Sequence, residues 1–219
     1  MQDGKEIMRT VHSIHAVLTG DVVNSTGLGT EAEEMLLQAL LLAFSPYLIE
    51  FYRGDSFQAF LEDPVVSLRV ALMCRTLAIS VTAGEDGPAV SDIRISIGLG
   101  PATRPVRVPG LAKGEAFLLS GRGLDGIEKT ERRLAIVSGH AITDIGLEAM
   151  ADHLDAIFRR MTPKQAAAIG GLLRGVTQQE VAAQLDRSRS TVSQLVTAGG
   201  WAEIEKILEL FEKLINQLP

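Results

Sequence analysis

The chain has 219 residues, 27 acidic against 21 basic, for a net charge of −6; 46% are hydrophobic and 22% charged. At roughly 100–200 residues per domain, that is room for one domain and a small second one, with enough chain to bury a core without staples. The single cysteine, Cys74, excludes an intramolecular disulfide and fits a reducing compartment. No apolar run nears the ~20 residues of a membrane span. Residues 1–10 interleave Asp3, Lys5, Glu6 and Arg9 without a signal-peptide core, so a cytoplasmic location is expected.

The first 150 residues alternate strand-like and helix-like segments. His15–Thr19 is a short apolar run closed by Gly20 and Asp21, predicting a buried strand with an acid at its end. Asn24, Ser25, Thr26 and Gly27 read as a turn, and Thr30 with Glu33 as the capping box of a helix over 32–44. A hairpin follows: strands over 48–52 and 57–61 about a Gly54-Asp55 turn. Asp63 caps a helix to about Ser80, and Thr82–Ser91 reads as a loop. Ile93–Ile97 alternates strictly, as a half-buried strand does. A helix over 114–129, a strand over 134–137 and a helix over 141–158 complete this part. The order β-α-β-β-α-β-α-β-α predicts an α+β fold, a ferredoxin-like α/β sandwich, over residues 1–156.

The remainder, 157–219, predicts an all-α unit. Residues 1–150 carry 13 basic and 19 acidic side chains, but 157–200 carries six basic ones and only Glu180 and Asp186. A basic patch on an acidic chain points to one small module that meets phosphate. Thr162-Pro163 starts one helix and Gly175 ends it; Thr177 and Glu180 cap a second. Asp186-Arg187-Ser188 turns into a third, with Val192, Leu195 and Val196 inward. This is the layout of a helix-turn-helix, whose second helix sets short polar side chains in the major groove of double-stranded DNA. The residues expected to touch DNA are Thr177, Gln178, Arg187, Ser188, Arg189, Ser190, Thr191, Ser193 and Gln194. A bundle used for protein contact is the alternative. In the last helix Trp201, Ile204, Leu208, Phe211, Ile215 and Leu218 recur at steps of 3 and 4. That seam would pair two copies in a homodimer, or serve as the packing stripe of a single amphipathic helix.

Two carboxylates stand out in the first part. In a ferredoxin-like sheet the first strand neighbours the hairpin, so Asp21 and Asp55 meet at one sheet end. Paired carboxylates without His or Cys suit Mg²⁺ or Mn²⁺ shared with phosphate, although Asp beside Gly is also an ordinary turn residue. The backbone of Val22, Asn24, Ser25 and Thr26 would offer N–H groups to a nucleotide phosphate. The four histidines make no ligand spacing with Cys74, so zinc is not expected.

The blocks LTGDVVNST (18–26), RGDSFQAFL (53–61), ISIGLG (95–100) and GEAFLLSGRGLD (114–125) resemble the SatD family of bacterial proteins and, more distantly, class III nucleotide cyclase and diguanylate cyclase domains. The third-helix segment of the C-terminal part, with the helix before it, resembles sigma region 4 and LuxR-type modules. The cyclase resemblance implies a nucleotide-cyclase-like fold, metal held by Asp21 and Asp55, and a transition-state arginine at Arg122. It also shows departures. Leu118 stands where those enzymes place an Asn, Phe51 where a base-reading Lys sits, and Ser56 at the acidic fourth position of the diguanylate signature. An apolar Leu118 cannot donate to a ribose, so the expectation is a degenerate domain that binds a nucleotide or mediates dimerisation. The whole then reads as a bacterial DNA-binding transcriptional regulator. The alternative is an active metal-dependent cyclase with an accessory helix-turn-helix.

Overall fold

The computed structural model describes residues 14–52, 54–81 and 87–218. In chain order the elements are β1 (Ile14–Val23), α1 (Ser25–Leu28), α2 (Thr30–Phe44), β2 (Leu48–Tyr52), β3 (Ser56–Leu61), α3 (Ser67–Ser80), β4 (Asp92–Pro101), α4 (Glu115–Glu128), β5 (Leu134–Val137) and α5 (Ala141–Phe158). Then come α6 (Pro163–Leu173), α7 (Gln178–Gln184), α8 (Arg189–Ala198) and α9 (Trp201–Ile215). The fold is α+β, and the expected element order holds except that α1, a single helical turn, stands where a turn was expected. The loop expected from Thr82 lies partly outside the described residues.

Five strands form one sheet in the order β2-β3-β1-β4-β5. The first four pair antiparallel about a central β1, and β5 joins β4 in parallel after α4 crosses over. Alternation along β1 separates the two sheet faces. Ala16, Leu18 and Val22 enter the core shared with α2 and α3. Val17 points the other way, to Phe60 and to Ala116 and Phe117 of α4. Helix α4 lies close on β4 because Gly98 has no side chain. A Cβ there would stand 2.2 Å from the Ala116 carbonyl oxygen and 2.4 Å from the Ser120 amide nitrogen.

Helix α3 is apolar nearly all round, with Leu68, Val70, Ala71, Leu72, Cys74, Ala78 and Ile79 buried. Such a helix must be covered on both sides. The sheet covers one side; α6 and α9 cover the other. The core is therefore continuous: Ala166 and Ile169 of α6 and Ile204, Leu208 and Phe211 of α9 belong to the same cluster as α2, α3 and the strands. The boundary expected after residue 156 falls inside α5, and the two parts share one core. Ala168, Val181, Ala182, Val192 and Val196 make a separate small cluster under α7 and α8.

Three local expectations change. Strand β1 does not stop at Asp21 but runs to Val23, because Val22 is buried in the core and the turn comes at Asn24, in left-handed conformation at φ 67°. Thr30 is not a cap. Gly29, at φ 76°, separates α1 from α2, and Thr30 is the first residue of α2 without a side-chain cap bond. The heptad of α9 is not an open seam. Ile204, Leu208, Phe211 and Ile215 are buried at 0–4% exposure within the chain, and Trp201 and Leu218 pack on the same cluster. That stripe covers α3, so it is a packing stripe and not a surface for a second copy. One stripe cannot serve both.

Candidate functional site

The register of the sheet brings Asp21 and Asp55 to one end. Asp21 pairs with Ser56 across β1 and β3, and the Val22 amide donates to the Asp55 carbonyl at 3.3 Å. Neither carboxylate is free. Arg94 stands opposite Asp21 on β4 and donates to its Oδ2 through Nη2 at 2.9 Å and Nε at 3.3 Å. The third guanidinium nitrogen, Nη1, donates to the Glu128 carbonyl at the end of α4, 2.7 Å away. Asp55 accepts from the Ser25 hydroxyl at 2.7 Å. Among the described residues no three His, Cys, Asp or Glu side chains gather in a way that could hold a metal ion. One oxygen of each carboxylate is thus engaged, Oδ2 of Asp21 by Arg94 and Oδ2 of Asp55 by Ser25.

The residues expected at a nucleotide are dispersed in role. The Val22 N–H is taken by Asp55, and the Asn24 side chain donates through Nδ2 to the Val90 carbonyl at 3.4 Å. Ser25 serves Asp55, and Thr26 lies in the single turn of α1. Arg122 is exposed on α4 and makes no hydrogen bond or ion pair with Asp21 or Asp55. Leu118, in place of the expected polar residue, is 52% exposed. Beside this end lies a small polar ladder. Gln58 donates to the Thr19 hydroxyl at 3.1 Å, and Thr19 bonds Ser120 of α4 at 2.8 Å.

One cluster escaped the sequence reading. Arg75 of α3 is 1% exposed and holds Asp92 by two bonds, at 2.7 and 3.1 Å, and Asp155 of α5 at 2.5 Å. Its guanidinium lies 4.7 Å over the Phe158 ring. Burial alone would push the Arg75 pKa down, but the two carboxylates more than offset it, and the net direction is up. Asp155 also accepts the Arg133 and Leu134 amides. This network lines a cavity of about 450 Å³ with Ile79, Ser91 and Met161. Its one sequence signal was an arginine on the apolar side of a helix, which is costly unless paired.

The second surface is built by caps. Thr162 and Gln165 form a reciprocal capping box at α6, with Pro163 in the first turn. Thr177 and Glu180 form another at α7, and the Thr177 hydroxyl and amide hold the Glu180 carboxyl below its ordinary range. Ser188 caps α8 by accepting from the Thr191 amide at 3.1 Å. Helix α8 turns Val192 and Val196 inward. Thr177, Arg187, Ser188, Arg189, Ser190, Ser193 and Gln194 are exposed, while Gln178 and Thr191 are half-buried. The Ser188 hydroxyl also bonds those of Ser190 and Thr191.

No family model matches the chain, and no curated protein matches it either. Among solved structures it is similar to a bacterial light-regulated adenylyl cyclase, at 13% identity over 57% of this chain and 75% of that chain, with a TM-score of 0.41. No helix among the described residues is long and apolar enough to cross a membrane.

Proposed function

We propose that the chain is a DNA-binding regulator in which α7 and α8 act as a helix-turn-helix and the α+β layer is its scaffold. The observation that carries this reading is the outer face of α8. It exposes Arg189, Ser190, Ser193 and Gln194, has no acidic residue, and is entered through the exposed Arg187. Short polar side chains reach base edges in the major groove, and guanidiniums reach phosphate or guanine. The caps at Thr177 and Ser188 fix where α7 and α8 begin, and Val181, Ala182, Val192 and Val196 hold the two together.

The test is fluorescence anisotropy with a labelled random-sequence DNA duplex over a range of salt. Binding is expected to weaken with salt, and Arg187→Ala with Arg189→Ala to reduce the log–log slope by about 0.9 for each phosphate that is no longer neutralised. An unchanged slope, or no binding at low salt, overturns the reading. Selection from a random pool of duplexes then supplies the preferred site.

A further inference from the structure

We infer that Arg94 is a built-in counter-cation at the sheet end, standing in the role a divalent metal would have beside Asp21 and Asp55. The strand register forces an acid of β1 against the hairpin that carries a second acid. The same register places Arg94 directly across from Asp21 on the other side of β1. Its guanidinium is gripped at both ends, by the Asp21 carboxylate and by the Glu128 carbonyl at the end of α4. The second grip is also electrostatic, because helix C-termini carry partial negative charge.

The arrangement is hard to displace. Both side chains are about one-fifth exposed, so the pair is only partly open to water. A guanidinium stays charged at any pH the protein survives, so it cannot leave by losing its proton. A metal ion arriving at Asp21 would meet a fixed positive charge within hydrogen-bond reach of the same oxygen. Asp55 gives it little help, since one carboxylate oxygen already accepts from Ser25. The site therefore excludes Mg²⁺ and Mn²⁺, and with them the metal chemistry that a cyclase-like sheet end would otherwise suggest. This inference does not depend on whether α8 reads DNA.

Electron paramagnetic resonance of free Mn²⁺ tests it directly on the full chain. Wild type and Asp21→Asn are expected to leave the same free Mn²⁺ signal at millimolar ion. Arg94→Ala is expected to bind one Mn²⁺ roughly tenfold or more tightly than wild type, and to lose it when Asp21→Asn is added. Circular dichroism checks that each variant is folded. Mn²⁺ binding by wild type that disappears in Asp21→Asn overturns the inference, and so does a folded Arg94→Ala that binds no better than wild type. If Arg94→Ala does not fold, wild type against Asp21→Asn decides alone: equal signals support the inference and Asp21-dependent binding overturns it.

Discussion

Replacing Asp155 by alanine should be among the most damaging single changes in this chain. Asp155 is 2% exposed and Arg75 1%. Their bond at 2.5 Å joins α5 to α3, and the other Asp155 oxygen accepts the amides of Arg133 at 2.8 Å and Leu134 at 3.2 Å. Alanine leaves a buried guanidinium with Asp92 alone and orphans two amides at the start of β5. Removing one partner of a buried pair costs about 3–5 kcal/mol. For a chain of this size each kcal/mol lowers the melting temperature by about 2–4 °C, so a fall of roughly 6–20 °C is expected by calorimetry. Arg75→Met gives an internal check. It removes the charge that Asp155 faces, so the double variant should lose less than the two singles together, because in the absence of Arg75 there is no cation left stranded. A melting temperature within about 1 °C of wild type for Asp155→Ala, or strict additivity in the double, would refute the claim that the pair is a coupled buried unit.

Gly98→Ala should cost about 1–3 kcal/mol or more in denaturant unfolding, because its Cβ would collide with the Ala116 carbonyl and force α4 off β4. Leu208→Ala should lower stability by about 2–5 kcal/mol without changing the sedimentation coefficient of the folded protein, since its side chain fills the chain's own core. Burial, and then its hydrogen bond to Glu50, push the Tyr52 phenol up from 10.0 to about 12. The folded chain therefore keeps that proton longer than the unfolded one, and the stability it contributes is full below the unfolded pKa and is lost as pH rises toward the folded one. Absorbance at 295 nm should show one tyrosine ionising near 12, and Glu50→Gln should bring it down.

Much of the architecture was legible from local chemistry. The β2–β3 hairpin follows from two strand runs around Gly54-Asp55, and α5 spans the 141–158 expected of it. The α7 capping box is written in Thr177 and Glu180, three residues apart. Such signals act within a few residues, so they survive without knowledge of the partners. The meeting of Asp21 with the hairpin was legible as well, because the β-α-β-β order dictates which strands are neighbours. What Asp21 does there was not. Its partner Arg94 lies 73 residues away and reaches it only through the β1–β4 register.

The same limit explains the heptad of α9. A 3-4 apolar stripe states that one face must be buried, but not against what. Only the tertiary structure, with α3 apolar on both sides and one side still uncovered by the sheet, decides that the stripe closes the chain's own core. Arg75 is the converse case. The sequence alone shows a charged residue among Leu72, Cys74 and Ala78, a placement that demands compensation. Asp92 and Asp155 supply it from β4 and α5, 17 and 80 residues away. Periodicity and caps determined which segments fold and which faces need cover; long-range register and packing decided which charges meet, because Coulombic and hydrophobic interactions depend on distance in space and not on distance along the chain.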